Sequence, residues 1–352
     1  MIDHSKQAYL KSIKKILLNE TASLEVDLFG GAITNFHLHE GKVNPLSFKF
    51  SKEQMPANNQ PGAPYQGHFL CLGRWGEPSA GEIKAGIPDH GQIANIDWEA
   101  LQSDDKKLTM QTTGQLEGLH VERTIQLESG LPVYLVHEQV KNINPLGRLY
   151  NMVQHPTLAA PFLDNHTIVN CNASAGFNYH FFNSPESHTI HWPRVIGENG
   201  SIIDLSKSVN GNNSVYSFIV SRETDLGWVT AYAPKAGLLF GYLWRRKDYP
   251  WINLWQDWSD GQIRFRGLEF GTTGIHRPFQ QILENGKSRV FGENTFAYID
   301  AGETVSRSYL SFLHRVEPDF AGVDAISLLN GFITIKTCAN ERKYINTSFK
   351  NF

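Results

Sequence analysis

Three short segments carry side chains that could move protons. The turn Gly86-Ile87-Pro88-Asp89-His90-Gly91 contains one histidine, and His155 lies between apolar flanks directly before Pro156. Glu269 is the third candidate. Imidazole and carboxylate groups are the usual general acids and bases of enzymes. Each residue also has a structural alternative, as a histidine that stabilises a turn, a hydrogen-bonded core histidine or a solvent-facing strand glutamate.

Strand periodicity predicts the face of the sheet to which the Glu269 side chain points. It stands between Leu268 and Phe270 in a predicted strand, and successive side chains of a strand point to opposite faces. Glu269 should therefore face away from both apolar neighbours. If that face lines a cleft, burial raises the pKa of the carboxyl and suits it to act as a general base. The segment 151–156 is predicted to be a strand that ends at Pro156, with His155 at the sheet margin.

Candidate ligand-binding residues accompany these groups. Arg74, in Leu72-Gly73-Arg74-Trp75-Gly76, could bind an anion or a hydroxyl-rich ligand. Aromatic faces can stack on the C–H faces of sugar rings, and amides and carboxylates can bind sugar hydroxyls. The remaining predicted substrate-binding residues are Gln154, Trp255, Gln256 and Asp257.

The surrounding elements are mostly strands. Apolar residues at spacings of three and four predict one helix over Lys6–Leu18, and the period changes to two from Leu24 onwards. Many strand-like runs separated by turns predict an all-β fold, a large antiparallel β-sandwich with a short N-terminal helix, in a single domain over residues 1–352. The loop-like stretches Lys52–Gly67 and Gly73–Gly91 are long enough to indicate a functional role.

Composition excludes several classes of function. The net charge is −3, and no basic run offers a surface for nucleic acid. Three widely spaced cysteines without a CxxC motif argue against a disulfide framework and a zinc finger. The sequence shows neither a signal peptide nor an apolar stretch of about 20 residues that could span a membrane. A cytoplasmic protein that binds neither nucleic acid nor membrane is predicted.

The order of these motifs resembles the aldose 1-epimerase (galactose mutarotase-like) superfamily over residues 22–315. The resemblance rests on the Arg-bearing strand Val121–Leu127, on His155-Pro156 with Pro161-Phe162, and on Gly267-Leu268-Glu269. Arg74 and His90-Gly91 are similar in position to the early Arg and first His of that family. Residues 316–352 form a C-terminal extension. Two departures from the family pattern leave the identity of the sugar open. Gln154 precedes His155, and Pro156-Thr157-Leu158 stands in place of the usual Asn-rich and aromatic surroundings.

The resemblance implies a cofactor-independent isomerase that interconverts sugar anomers by ring opening, with Glu269 as base, His155 as acid and His90 stabilising charge. Asp257 is the candidate for binding sugar hydroxyls. Two alternatives stay open. One is a non-catalytic carbohydrate-binding protein on the same fold, and the other is a metal-dependent enzyme with His90, His155 and Glu269 as ligands. The predicted partner is a small-molecule sugar, and the sequence leaves a homodimer open.

Overall fold

The structure, a computed structural model, describes residues 12–196, 200–211 and 213–350. Two α-helices are present in these ranges, α1 (Ala80–Lys84) and α2 (Phe279–Glu284). The first strands are β1 (Lys14–Leu18), β2 (Ala22–Asp27), β3 (Ala32–Leu38), β4 (His68–Gly73), β5 (Glu99–Ser103), β6 (Lys107–Gly114), β7 (Leu119–Leu127), β8 (Val133–Asn142), β9 (Arg148–Ala159), β10 (Ile168–Cys171), β11 (Ala173–Asn178), β12 (Ile190–His191) and β13 (Arg194–Ile196). The remaining strands are β14 (Ile202–Asp204), β15 (Val215–Val220), β16 (Leu226–Ala233), β17 (Leu238–Arg245), β18 (Trp251–Ser259), β19 (Gln262–Gly271), β20 (Arg289–Val290), β21 (Glu293–Asn294), β22 (Ala297–Ile299), β23 (Thr304–Arg315), β24 (Val323–Leu329), β25 (Phe332–Thr337) and β26 (Arg342–Asn346). Short 3₁₀ helices lie at Lys52–Gln54, Ile93–Asn95, Tyr179–Phe181, Pro185–His188 and Pro234–Ala236.

Two large antiparallel sheets form the sandwich. The first follows the order β1-β2-β3-β4-β9-β19-β18-β15-β11-β12-β13-β14, with β22 paired to β9, and the second follows β10-β16-β17-β23-β8-β7-β6-β5. Neighbouring strands at the centre of the first sheet are antiparallel, and β9 lies between β4 and β19. The second sheet is antiparallel as well. The predicted all-β antiparallel sandwich is therefore confirmed.

Strand alternation builds the core between the sheets. Leu268 and Phe270 of β19 point into this core, as do Leu254 of β18 and Met152 of β9. The intervening side chains of these central strands point to the outer face of the first sheet. Burial of apolar area between the sheets supplies the main stabilisation of the fold.

The predicted N-terminal helix is wrong where the structure can test it. Lys14–Leu18 is strand β1, which pairs in register with Ala22–Asp27, while residues 6–11 lie outside the described part of the chain. Only Leu17 of this strand is fully buried, and Ile16 is 58% exposed. The ladder with β2 satisfies the backbone of β1, and this tertiary pairing outweighs the helical spacing of the apolar residues.

Loops and a small sheet cover the two outer faces. Phe48, Met55, Tyr65 and Trp75, from chain segments outside the strands, pack with Phe69 against the outer face of the first sheet. The C-terminal sheet of β24, β25 and β26 packs through apolar side chains on the outer face of the second sheet. Within the described ranges, neither helix has the length and apolar character needed to cross a bilayer.

Candidate active site

A cavity of about 260 Å³ opens on the outer face of the first sheet. Its floor comes from the central strands β4, β9, β19 and β18. Part of its wall comes from the two long loops that the sequence marked as functional, and the rest comes from other segments. A volume somewhat below the roughly 300–1,000 Å³ of drug-sized sites is suited to one small ring. The lining residues are Phe48, Phe50, Gln54, Pro56, Tyr65, Phe69, Trp75, His90, His155, Tyr179, Val215, Trp255, Glu269 and His276.

His155 and Glu269 meet on the cavity floor. They lie on the adjacent strands β9 and β19, and Nε2 of His155 is 3.1 Å from Oε1 of Glu269. Nδ1 of His155 is 3.2 Å from the Thr157 hydroxyl, and the Phe69 ring stacks on the imidazole at 4.2 Å. Both side chains are buried, at 6% and 1% exposure. The contacts of the two ring nitrogens with Glu269 and Thr157 and the stacked phenyl ring orient the imidazole.

The predicted strand end at Pro156 is wrong. Strand β9 continues to Ala159, and Pro156 pairs with His68 of β4 inside the sheet. His155 therefore lies within a central strand and not at the sheet margin. A central strand is held on both sides, so it positions a side chain more rigidly than a loop does.

Burial shifts the pKa values of Glu269 and His155 in opposite directions. It raises the pKa of the Glu269 carboxyl well above its ordinary value, and it lowers the pKa of His155 to about 3. In both cases loss of hydration disfavours the charged form. Burial therefore favours the uncharged form of each group, a protonated carboxyl beside a neutral imidazole.

Two indole groups border the carboxylate. The N–H groups of Trp75 and Trp255 lie close enough to Glu269 to favour its charged form, although neither makes a hydrogen bond of good geometry. Oε2 of Glu269 is also buried without a partner among the described residues. A Cβ atom at Gly267 would lie 1.9 Å from Nε1 of Trp255, so only glycine lets this indole lie across β19 beside Glu269. Three buried polar groups thus converge on one point of the cavity.

Two further histidines complete the polar part of the cavity. The His90 ring is centred 5.2 Å from the His155 ring and 5.4 Å from the His276 ring. Burial and the two neighbouring imidazoles hold the pKa of His90 well below its ordinary value. Burial and Arg277 lower the pKa of His276 to about 4. The backbone N–H of Gly76 donates to Nδ1 of His90 at 3.2 Å, which leaves Nε2 to carry the proton of the neutral ring.

Sequence reasoning missed His276, Tyr65 and Tyr179. His276 follows β19 and contacts Trp75 edge to face at 4.8 Å. No motif surrounds these residues in the sequence, and they reach the cavity from separate loops. The available signal was weaker: Tyr65 lies in the loop Lys52–Gly67, which was predicted to be functional, but nothing there distinguished this residue from its neighbours.

Four predicted substrate-binding residues lie outside the cavity lining. Arg74 is buried and forms a bidentate ion pair with Glu82 at 2.7 and 2.6 Å, with Glu117 3.5 Å from its Nε. Asp257 faces Arg264 at 3.5 Å. Each of these two predicted binding residues thus has an oppositely charged partner outside the cavity lining.

Gln154 and Gln256 lie on the other face of the first sheet. Gln154 donates to Glu138 at 2.6 Å and Gln256 accepts from Arg266 at 2.8 Å, both on the inner side of the first sheet. Since neighbours in a strand point to opposite faces, a cavity-facing His155 excludes its neighbour Gln154. The same alternation excludes Gln256 beside Trp255, which does line the cavity.

The geometry of His90, His155 and Glu269 does not favour the alternative of a metal-dependent enzyme. Among residues 12–196, 200–211 and 213–350, no three His, Cys, Asp or Glu side chains are placed to hold a metal ion. Nδ1 of His90 accepts a hydrogen bond from a backbone N–H, and Nε2 of His155 contacts Glu269 directly. The three predicted ligands do not match a facial triad.

Comparison with solved structures identifies the fold. The chain is similar to a galactose mutarotase-like protein from Clostridium acetobutylicum, with 13% identity, a TM-score of 0.60 and coverage of 87% of this chain and 99% of that one. It is also similar to a galactose mutarotase related enzyme from Lactobacillus acidophilus, with 10% identity, a TM-score of 0.56 and coverage of 87% and 98%. No family model and no curated protein sequence matches. The chain therefore has the galactose mutarotase-like fold that the sequence resemblance predicted, and at this identity the likeness establishes the fold alone.

Proposed function

We propose that the chain is a cofactor-independent aldose 1-epimerase-like isomerase that interconverts the anomers of a sugar. The observation that carries this proposal is the contact of 3.1 Å between His155 and Glu269 on the floor of an aromatic cavity. The anomeric hydroxyl oxygen and the ring oxygen of a sugar are bonded to the same carbon. Two groups this close together can therefore each reach one of these oxygens.

The reaction requires the removal of one proton from the sugar and the donation of another proton to it. Glu269, as carboxylate, removes the proton of the anomeric hydroxyl while His155, as imidazolium, protonates the ring oxygen. The bond between C1 and the ring oxygen breaks and leaves an open-chain aldehyde. Rotation about C1–C2 and reclosure with the roles reversed give the other anomer and restore both protonation states. Each proton transfer is worth about 10²–10⁴ in rate.

The cavity supplies a route to the active protonation state. In the protein alone, burial places the single proton of the pair on Glu269. A sugar hydroxyl that donates to Oε2 joins the two indole N–H groups in favouring the carboxylate. The proton then passes to Nε2 of His155 across the existing contact. The Nε2 proton of His90 is free to bind a ring hydroxyl or developing negative charge.

Polarimetry with freshly dissolved α-glucose and α-galactose tests the proposal. We expect Glu269→Gln and His155→Asn to lose about 10²–10⁴ of the enzymatic rate because each removes one proton-transfer group. Glu223→Gln is the matched control, since Glu223 is exposed on a surface turn. An unchanged rate in Glu269→Gln contradicts the proposed acid–base chemistry.

A non-catalytic carbohydrate-binding protein is the second candidate. It is favoured by Trp255, which lines the cavity and offers a stacking surface for a sugar ring, although Arg74, the other binding residue of this alternative, does not line it. The acid–base pair argues against it, since binding alone does not require two buried proton-transfer groups in contact. Sugar binding by titration calorimetry, without acceleration of mutarotation by the wild-type protein, would establish this alternative.

A further inference from the structure

Thr157 contacts the ring nitrogen of His155 that does not face Glu269. The two residues are separated by one position in β9, so their side chains lie on the same face of the sheet. The Thr157 hydroxyl is 3.2 Å from Nδ1 of His155, and Thr157 is fully buried. It does not belong to the cavity lining. The contact with His155 is therefore the route by which Thr157 can influence a bound sugar.

The sheet gives the Thr157 hydroxyl a fixed position. The backbone N–H of Thr157 donates to the carbonyl of Gly67 at 3.0 Å, and on the other side Thr157 pairs with Gly267 of β19. A β-branched side chain also has few allowed values of χ1. The hydroxyl is thus held beside the imidazole by a backbone that neighbouring chain segments fix on both sides.

The imidazole of His155 has two orientations of almost the same shape. The Phe69 ring stacks on it at 4.2 Å and sets the plane of the ring. A half-turn about the Cβ–Cγ bond would keep this plane but exchange Nδ1 with Cδ2 and Nε2 with Cε1. It would take Nδ1 away from Thr157 and Nε2 away from its contact of 3.1 Å with Oε1 of Glu269. The contacts with Thr157 and Glu269 therefore favour the same orientation, in which Nε2 faces Glu269.

The proposed reaction requires the proton on Nδ1 of His155 to stay in place. The imidazolium carries a proton on each nitrogen, so in that state the Thr157 hydroxyl accepts from Nδ1–H. When Nε2 gives its proton to the ring oxygen of the sugar, the neutral imidazole keeps the proton on Nδ1. Reclosure of the sugar ring then returns a proton to Nε2. A hydroxyl can accept in each of these states, and its hydrogen bond favours the charged imidazolium.

We propose that Thr157 is a positioning residue, which accepts a hydrogen bond from Nδ1–H of His155 and so keeps Nε2 as the nitrogen that exchanges protons with the sugar. This inference rests on the proposed function and assigns the hydrogen bond that prepares its acid. Thr157 belongs to the segment Pro156-Thr157-Leu158, which departs from the family pattern. The hydroxyl gives this departure a role at the site.

Two conservative variants separate the hydroxyl of Thr157 from the shape of its side chain. Thr157→Val keeps the branched shape and removes the acceptor, whereas Thr157→Ser keeps the hydroxyl. In polarimetry with α-glucose and α-galactose, we expect kcat to fall about tenfold to a hundredfold in Thr157→Val, because a buried N–H is left unpaired. KM should change by less than about twofold, since Thr157 does not line the cavity. Thr157→Ser should retain most of the wild-type kcat. Thr230→Val, at an equally buried threonine of the second sheet, is the control and should leave kcat unchanged.

Nitrogen NMR of the histidine rings gives a readout that does not depend on turnover. The ring nitrogen chemical shifts distinguish the two neutral tautomers, and the signals lost in His155→Asn assign those of His155. We expect the proton on Nδ1 in the wild type and in Thr157→Ser, and a measurable share of it on Nε2 in Thr157→Val.

Three results would overturn the role of Thr157. They are a wild-type His155 with its proton on Nε2, a Thr157→Val variant with the wild-type kcat, and a Thr157→Ser variant as slow as Thr157→Val. Each would leave the acid–base function standing if the wild type accelerates mutarotation. Absence of that acceleration would overturn the proposed function and, with it, the role of Thr157.

Discussion

Glutamine in place of Glu269 should stabilise the protein as it inactivates it. Burial raises the pKa of this carboxyl well above the ordinary value of 4.5. The native state therefore keeps a proton that the unfolded chain has lost, and the contribution of Glu269 to the free energy of unfolding falls as pH rises from about 4.5 towards the native pKa. Each pH unit in this window costs about 1.4 kcal/mol. Glutamine has nearly the same shape, stays neutral at every pH and can donate to Nε2 of His155.

The expected signature is a stability difference that grows with pH. Wild type and Glu269→Gln should be about equally stable near pH 4.5, and two pH units within the window should give the variant an advantage of about 3 kcal/mol. Urea unfolding at a series of pH values measures this difference. Glu223→Gln controls for the loss of a surface charge, and its difference from wild type should not vary in this way.

Two outcomes would refute this reasoning. A variant less stable than wild type at every pH would mean that the carboxylate is stabilised by the site and not penalised by it. A difference that does not change with pH would mean that Glu269 titrates alike in the native and unfolded states. Either result would remove the argument that the pair holds its proton on the carboxyl in the protein alone.

Two more predictions concern the inner face and the pH profile. Gln154→Ala should cost about 2–4 kcal/mol of stability, because it removes the donor 2.6 Å from the buried Glu138 and the partner of His68. Thermal unfolding measures the loss. A weaker sugar affinity without a stability loss would contradict this structural role. For kcat/KM against pH, we expect a plateau through neutrality, with the acid limb set by the His155 pKa of about 3, below which the pair gains a second proton. The alkaline limb lies at the pH where the pair loses its single proton. An acid limb near pH 6.5 would contradict the proposed effect of burial on the pKa of His155.

Local sequence pattern predicted most of the strand architecture because alternation reports burial directly. Leu268 and Phe270 pack in the core, and Glu269 between them lines the cavity. The same rule, applied strictly, would have rejected Gln154 and Gln256, each adjacent to a residue that lines the cavity. The N-terminal helix failed because β1 gains its hydrogen bonds from β2, and a short apolar pattern does not reveal such a partner.

By itself, the sequence determined the fold class, the long loops and the order of the candidate residues, since periodicity and turn residues are local properties. Only the tertiary structure brought His155 within 3.1 Å of Glu269 and added His276 from a separate loop. It also decided that Arg74 pairs with Glu82 and leaves the cavity without its charge. These outcomes depend on which strands become neighbours and which charges find partners. Such contacts join residues far apart in the chain, and the shared burial that shifts both pKa values of the pair exists only once the sheet has formed.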